Sequence, residues 1–215
     1  MNSVKDDDTP IPPLGPVEKS NLLTFEGESL AQINAKLLVA DTFLKFLNRD
    51  WTFPEYVREI LLTLMKVIGS EAGSILEVDE DRKLLFFRAG VGSRSAELEK
   101  FTVPFGHGIA GFVAESQQPL LVPVMNENEL ALKSIQNAVG FVPKNLIAVP
   151  ILIRGKTFGV IELLNRTGEE SYTATDLELL TYFAALAGSI IEVRLMMSWY
   201  AKQLNNLDPH RSKAA

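Results

Sequence analysis

The spacing of hydrophobic positions changes along the chain, and each change marks an element. From Ser29 to about Arg49, Leu30, Ile33, Leu37, Ala40, Leu44 and Leu47 recur at steps of three and four, an a/d seam on one helix face. Phe43 and Phe46 add a second apolar flank. Pro54 suits the first turn of a second helix, whose core stripe is Val57, Ile60, Leu61, Leu64, Met65 and Ile68 and whose end is Gly69. Shorter apolar runs then predict strands at Ala72–Val78, Lys83–Ala89, Phe101–Phe105 and Leu120–Val124. A polar turn (Asp79–Arg82) separates the first two, and Ala96–Lys100 reads as a helical turn. Gly106–Gly111 opens a short helix that runs to about Ser116.

The most apolar stretch is NLIAVPILIRGKTFGVIELLN, Asn145 to Asn165. Its runs Leu146–Ile153 and Thr157–Leu164 flank Arg154-Gly155-Lys156, which predicts a hairpin. Neither run alternates cleanly between apolar and polar, so both faces of this hairpin are expected to be covered by helices. Before it, Asn126–Asn137 is a polar, helical excursion that continues through Gly140 and Pro143. After it, Arg166–Ser171 is a loop, and Thr175 with Glu178 forms a capping box. The last helix then runs to about Asn205, with Leu179, Phe183, Leu186, Ile190, Val193, Met197, Tyr200 and Leu204 again at steps of three and four. The expected organisation is a disordered tail over 1–27, an N-terminal helix over 28–50, a domain over 54–197, and a helix end with a flexible tail over 198–215.

Composition narrows the function. The chain has 215 residues, 47% of them hydrophobic, enough for a core, and a net charge of −6. No basic face is expected, so a nucleic acid polymer or an anionic membrane is not an expected partner. The tail carries Asp6, Asp7, Asp8 and Pro10, Pro12, Pro13, Pro16, and reads as a solvated segment or a docking peptide. Cysteine is absent, which removes disulfides, thiolate catalysis and thiol metal sites. The longest apolar stretch is interrupted by Arg154 and Lys156, so no membrane span is expected and the cytoplasm is the expected location.

Few residues suggest chemistry. Gly106–Gly111 fits G-x-G-x-x-G, but no parallel βαβ unit with a following acid accompanies it, which argues against a dinucleotide site. Two readings remain: a helix N-terminus that holds an anion, or glycines that only let the chain turn. His107 lies in that turn and reads as an exposed loop residue or a ligand contact, while His210 lies in the tail; no metal site is expected. Glu162, by period two, shares a face with Phe158, Val160 and Leu164. It faces a polar ligand pocket or pairs with a surface base near the strand end. Arg88, at the end of its strand, has the same two readings, with solvent exposure the safer one.

In order, the chain reads PFGHGIAGFVAESQQPLLVPV, an irregular polar stretch, LIAVPILIRGKTFGVIELLNR and DLELLTYFAALAGSIIE. These blocks resemble a GAF domain over about Tyr56 to Ile191. The resemblance implies an α/β (α+β) fold, a six-stranded antiparallel sheet flanked by helices on both faces, GAF/PAS-like, with heptad-like helices at both ends. One face carries the terminal helices, which often dimerise in the family; the other carries a pocket lidded by the excursion. That pocket holds cyclic nucleotides, linear tetrapyrroles, small acids or amino acids, haem, or nothing. Carried over by position, it implies ligand contacts at Ser74, Arg88, Ala89, Ile109, Ala110, Asn126, Leu132 and Glu162. Arg88 and Ala89 depart from the aromatic and acid that cyclic-nucleotide binders tend to have there.

The phosphodiesterase-type N-K…F…D-E pattern appears in part, as Asn165, Arg166, Tyr172 and Asp176, with Leu177 in place of the glutamate. It implies an Arg166–Asp176 clasp between the last loop and the last helix. Absence of cysteine excludes a covalent bilin and the thiol-dependent free methionine sulfoxide reductase branch. His107 is the one candidate haem ligand, and no cofactor is expected. The expected function is a non-enzymatic sensory or regulatory module. It would bind a small cytoplasmic metabolite or nucleotide, dimerise through Leu30–Leu47 and Leu179–Leu204, and signal to a separate output protein. The alternative is a ligand-free scaffold for dimerisation and protein–protein interaction.

Overall fold

The structure, a computed structural model, describes residues 28–93, 95–98, 100–125 and 143–207. The expected tail, the 126–140 excursion and His210 lie outside the described residues. Helices α1 (Leu30–Phe46) and α2 (Phe53–Ile68) lead into β1 (Ser70–Asp79) and β2 (Leu84–Val91). Then come α3 (Ser95–Leu98), β3 (Thr102–Pro104), α4 (Gly108–Ser116), β4 (Leu120–Val122), β5 (Leu146–Ile153), β6 (Lys156–Arg166) and α5 (Ala174–Leu207). The strands form one sheet in the order β3-β2-β1-β6-β5-β4, every neighbouring pair antiparallel. The β5–β6 hairpin turns through Arg154 and Gly155, both at positive φ (51° and 74°), which matches the strands' twist.

Helices cover both faces. On one, Val39, Phe43 and Phe46 of α1, the stripe of α2, and Leu180, Phe183, Ala184 and Ala187 of α5 bury Ile75, Ile147, Val149, Ile151, Ile161 and Leu163. On the other, Ile109, Ala110, Val113 and Ala114 of α4 join Leu76, Leu85, Leu146, Ala148 and Val160. The apolar character of the hairpin on both sides follows from this.

Helix ends obey local chemistry. Thr52 with Glu55 caps α2, and Gly69 closes it at φ 85°. The cap of α5 is Thr173 rather than Thr175. The Asp176 amide donates to Thr173 Oγ1 at 3.2 Å, and the Thr173 amide donates to Asp176 Oδ2 at 2.9 Å. The aspartate makes a capping box on its own, so the box expected with Glu178 does not form. On α1 the expected seam, which could pack on the domain or on a second copy, divides: Leu47 packs against the core and Ile33 and Ala40 are half-buried. Leu30, Leu37 and Leu44 are exposed, and the aromatic flank is buried instead.

Two bulges re-aim side chains. Ile75 pairs with Ala89 and Leu76 with Phe87, so Arg88 is left over in β2. Ile151 pairs with Gly159 and Leu152 with Thr157, so Phe158 is left over in β6. Both turn to the α2 face, where the Arg88 guanidinium lies 5.7 Å from the Phe53 ring centre and Phe53 meets Phe158 edge-on. Next to the second bulge the strands approach so closely that a Cβ on Gly159 would lie 2.2 Å from the Leu76 carbonyl oxygen; only glycine fits there.

Candidate functional site

The antiparallel ladder places Ser74 of β1 directly opposite Glu162 of β6. Ala148 flanks Glu162 on β5, and Gly90 flanks Ser74 on β2. Period two keeps Ser74 and Glu162 on the face of Leu76, Val160 and Leu146, the face that α4 covers. The neighbours are small on both sides, and Ser95 packs against Gly90, where an added Cβ would lie 3.0 Å from the Ser95 Cβ. Ser74 is buried, and its Oγ donates to Glu162 Oε2 at 3.1 Å. Burial among apolar groups pushes the Glu162 carboxyl up to about 7, with the Ser74 hydrogen bond acting the other way.

A carboxyl that changes charge near neutral pH, beside a hydroxyl, can accept or donate a hydrogen bond to a polar group above the sheet. Among the described residues, no imidazole joins the pair.

The other candidates divide. Ile109 and Ala110, buried at the start of α4, share the apolar cluster of this face. Arg88 and Ala89 do not join it. The bulge puts Arg88 against Glu77 (2.6 Å) on the α2 side, and Ala89 belongs to the opposite core. Asn126 and Leu132 lie outside the described residues. In the glycine turn, the Gly106 amide donates to Gly111 O at 3.0 Å and the His107 amide to Pro104 O at 3.1 Å. Gly106 and Gly108 take positive φ, and a Cβ on Gly111 would lie 2.2 Å from Pro104 O. These glycines thus make the turn and let α4 approach β3. His107 is exposed, with Nδ1 2.9 Å from Phe105 O.

Below the hairpin the clasp residues meet. Arg166 Nε lies 3.5 Å from Asp176 Oδ1, and Arg166 Nη1 donates to the carbonyls of Thr167 and Gly69. Tyr172 donates to Ser70 Oγ at 2.8 Å, and Asn165 Nδ2 donates to Glu71 Oε2 at 2.9 Å. Burial pushes the Tyr172 hydroxyl up to about 12. Sequence reasoning missed Asn145. It is buried, donates to Glu170 O and accepts from the Arg166 amide, fastening the loop between β6 and α5. Its signal was its place: Asn145 and Asn165 stand at the two open ends of the hairpin.

Comparison with known proteins agrees with the fold. The family profile described as a GAF domain matches residues 52–192. A probable 3',5'-cyclic phosphodiesterase, pde-5, from Caenorhabditis elegans is 25% identical over 132 residues, covering 57% of this chain and 18% of that protein. The dual 3',5'-cyclic-AMP and -GMP phosphodiesterase 11A of Takifugu rubripes is 27% identical over 165 residues, covering 62% of this chain and 18% of that protein. The chain therefore spans under a fifth of the curated relatives it matches. The crystal structure of the nlh2 GAF domain from A. aeolicus superposes with a TM-score of 0.63 at 23% identity, over 76% of this chain and 99% of that one, a likeness of fold.

Proposed function

We propose, for a chain that belongs to the GAF domain family of ligand-sensing regulatory domains, that a small polar molecule binds over Ser74 and Glu162 and that its binding is passed to a partner protein in the cytoplasm through a helical dimer. The observation that carries the reading is the Glu162 carboxyl itself. It is set in an apolar sheet face and held by a hydroxyl rather than a cation among the described residues. Such a placement costs stability, and groups of this kind concentrate at binding sites.

A thermal-shift screen tests it, with cyclic AMP, cyclic GMP, other purine nucleotides, free amino acids and small carboxylic acids as probes. One class stabilises the protein, by about 2.7 kcal/mol at a hundredfold excess over its dissociation constant. Glu162→Gln abolishes that shift. No response from any class sinks the reading and favours the ligand-free scaffold.

The dimer is supported by apolar surface. Leu30, Leu37 and Leu44 on α1 and Met197, Trp199 and Tyr200 on α5 are each more than half exposed. Exposed apolar residues of this kind mark an interaction site, whereas Phe183 and Ile190 of the expected α5 seam lie in the core. Light scattering at tens of micromolar, roughly where weak dimers form, gives twice the 23.8 kDa chain mass. Leu37→Glu with Tyr200→Glu returns it to the monomer value. A wild-type monomer would refute the dimer while leaving the ligand site standing.

A further inference from the structure

The β5–β6 turn touches a helix on each side of the sheet. Toward the Glu162 face, the buried Thr157 Oγ1 donates to Ala114 O of α4 at 2.9 Å. Gln117, which ends α4 in the left-handed region at φ 57°, donates through Nε2 to Gly155 O at 3.2 Å and to Thr157 Oγ1 at 3.3 Å. Toward the opposite face, Arg154 Nε donates to Glu192 Oε1 of α5 at 2.5 Å, and Arg154 Nη2 reaches Met196 Sδ at 3.8 Å. Just before the turn, α5 presses on β5. A Cβ on Gly188 would lie 2.5 Å from Leu152 O, so helix and strand have no slack between them.

We infer that this turn is a relay, through which a displacement of α4 on the Glu162 face reaches the stretch of α5 that leaves the body of the domain. α4 spans Gly108–Ser116, with Ile109 and Ala110 at its ligand-side start and Ala114 and Gln117 at its turn-side end. A body this short moves as a unit, so a tilt at the first turn displaces the last. The buried Thr157 hydroxyl ties that last turn to β6. The turn then bears on α5 at Glu192 and Met196, where the helix emerges: Val193 is exposed, Arg194 is still held to the body through Trp51 O at 2.6 Å, and residues 195–203 are exposed. The exposed Arg154–Glu192 pair contributes little to stability; its part is geometric. The direction of the signal rests on the proposed ligand site, but the mechanical link does not. Coupling between sites must be demonstrated rather than assumed from position.

Hydrogen–deuterium exchange on the full chain without ligand provides that demonstration. Thr157→Val keeps the shape and removes the hydroxyl. It speeds exchange at least about threefold both in residues 113–117 of α4 and in residues 192–200 of α5. In an Arg154→Ala background, adding Thr157→Val changes residues 113–117 alone. If Thr157→Val acts globally, Gln117→Ala is read at the same two segments. An effect confined to α4, or an α5 effect unchanged by loss of Arg154, overturns the relay. Neither result bears on whether a ligand binds at Glu162.

Discussion

Glu162→Gln makes the protein more stable at about pH 8, by about 3 kcal/mol, and leaves it unchanged near pH 4. The Glu162 carboxyl is raised from 4.5 to about 7 because burial penalises its charge. The folded state thus holds a proton that the unfolded chain gives up. Its contribution to stability is complete below 4.5 and is lost as pH rises through about 7. Glutamine has no such proton, and its amide oxygen still accepts from Ser74. The wild-type minus variant difference, from urea unfolding at several pH values, removes the titration of every other group. A difference that is flat with pH, or a variant less stable at about pH 8, contradicts the burial of the charge. The expected gain also explains why the residue is informative: a core position filled for stability would hold no carboxyl.

Phe43→Ala lowers stability by about 3–5 kcal/mol, the cost of a cavity at a fully buried aromatic. Phe43 lies on α1, outside the residues 52–192 that match the family profile. It is 0% exposed, and its ring centre is 5.7 Å from that of Phe46, which also stacks edge-on with Trp51 and Tyr56. On this view α1 is part of the domain's core and not an appended linker. Urea unfolding shows one cooperative transition at a lower midpoint with the slope unchanged. A loss below about 1 kcal/mol, in the range of ordinary surface substitutions, would mean that α1 does not contribute to the core.

The central hairpin was legible because both runs are apolar throughout; its first strand holds to the residue at Leu146–Ile153, and its second, expected over Thr157–Leu164, extends to Lys156–Arg166. The sheet with helices on both faces was legible for the same reason. Period two was a good guide to Glu162 and Val160 but not to Phe158. A bulge changes the face of one residue and leaves no mark in composition. Arg88 was obscured in the same way. On α1 the sequence offers two apolar stripes, and spacing alone does not say which one meets the domain. The aromatic stripe wins because each ring buries more surface. On α5, Ala184, Ala187 and Gly188 look unremarkable in sequence, yet their small size lets the helix sit against β5. The ties through Gln117, Thr157 and Arg154 join residues 38 to 43 positions apart, and no local pattern announces them.

The claim on which the rest depends is that Ser74 and Glu162 form the floor of a ligand site. Its most direct measurement is a crystal structure of the protein with whichever compound stabilises it most in the thermal screen. A polar atom of that compound is expected within about 3 Å of Glu162 or Ser74 oxygen, on the α4 side of the sheet. Density for the compound on the α1 and α5 face, or elsewhere on the surface with the Ser74–Glu162 hydrogen bond untouched, would contradict it.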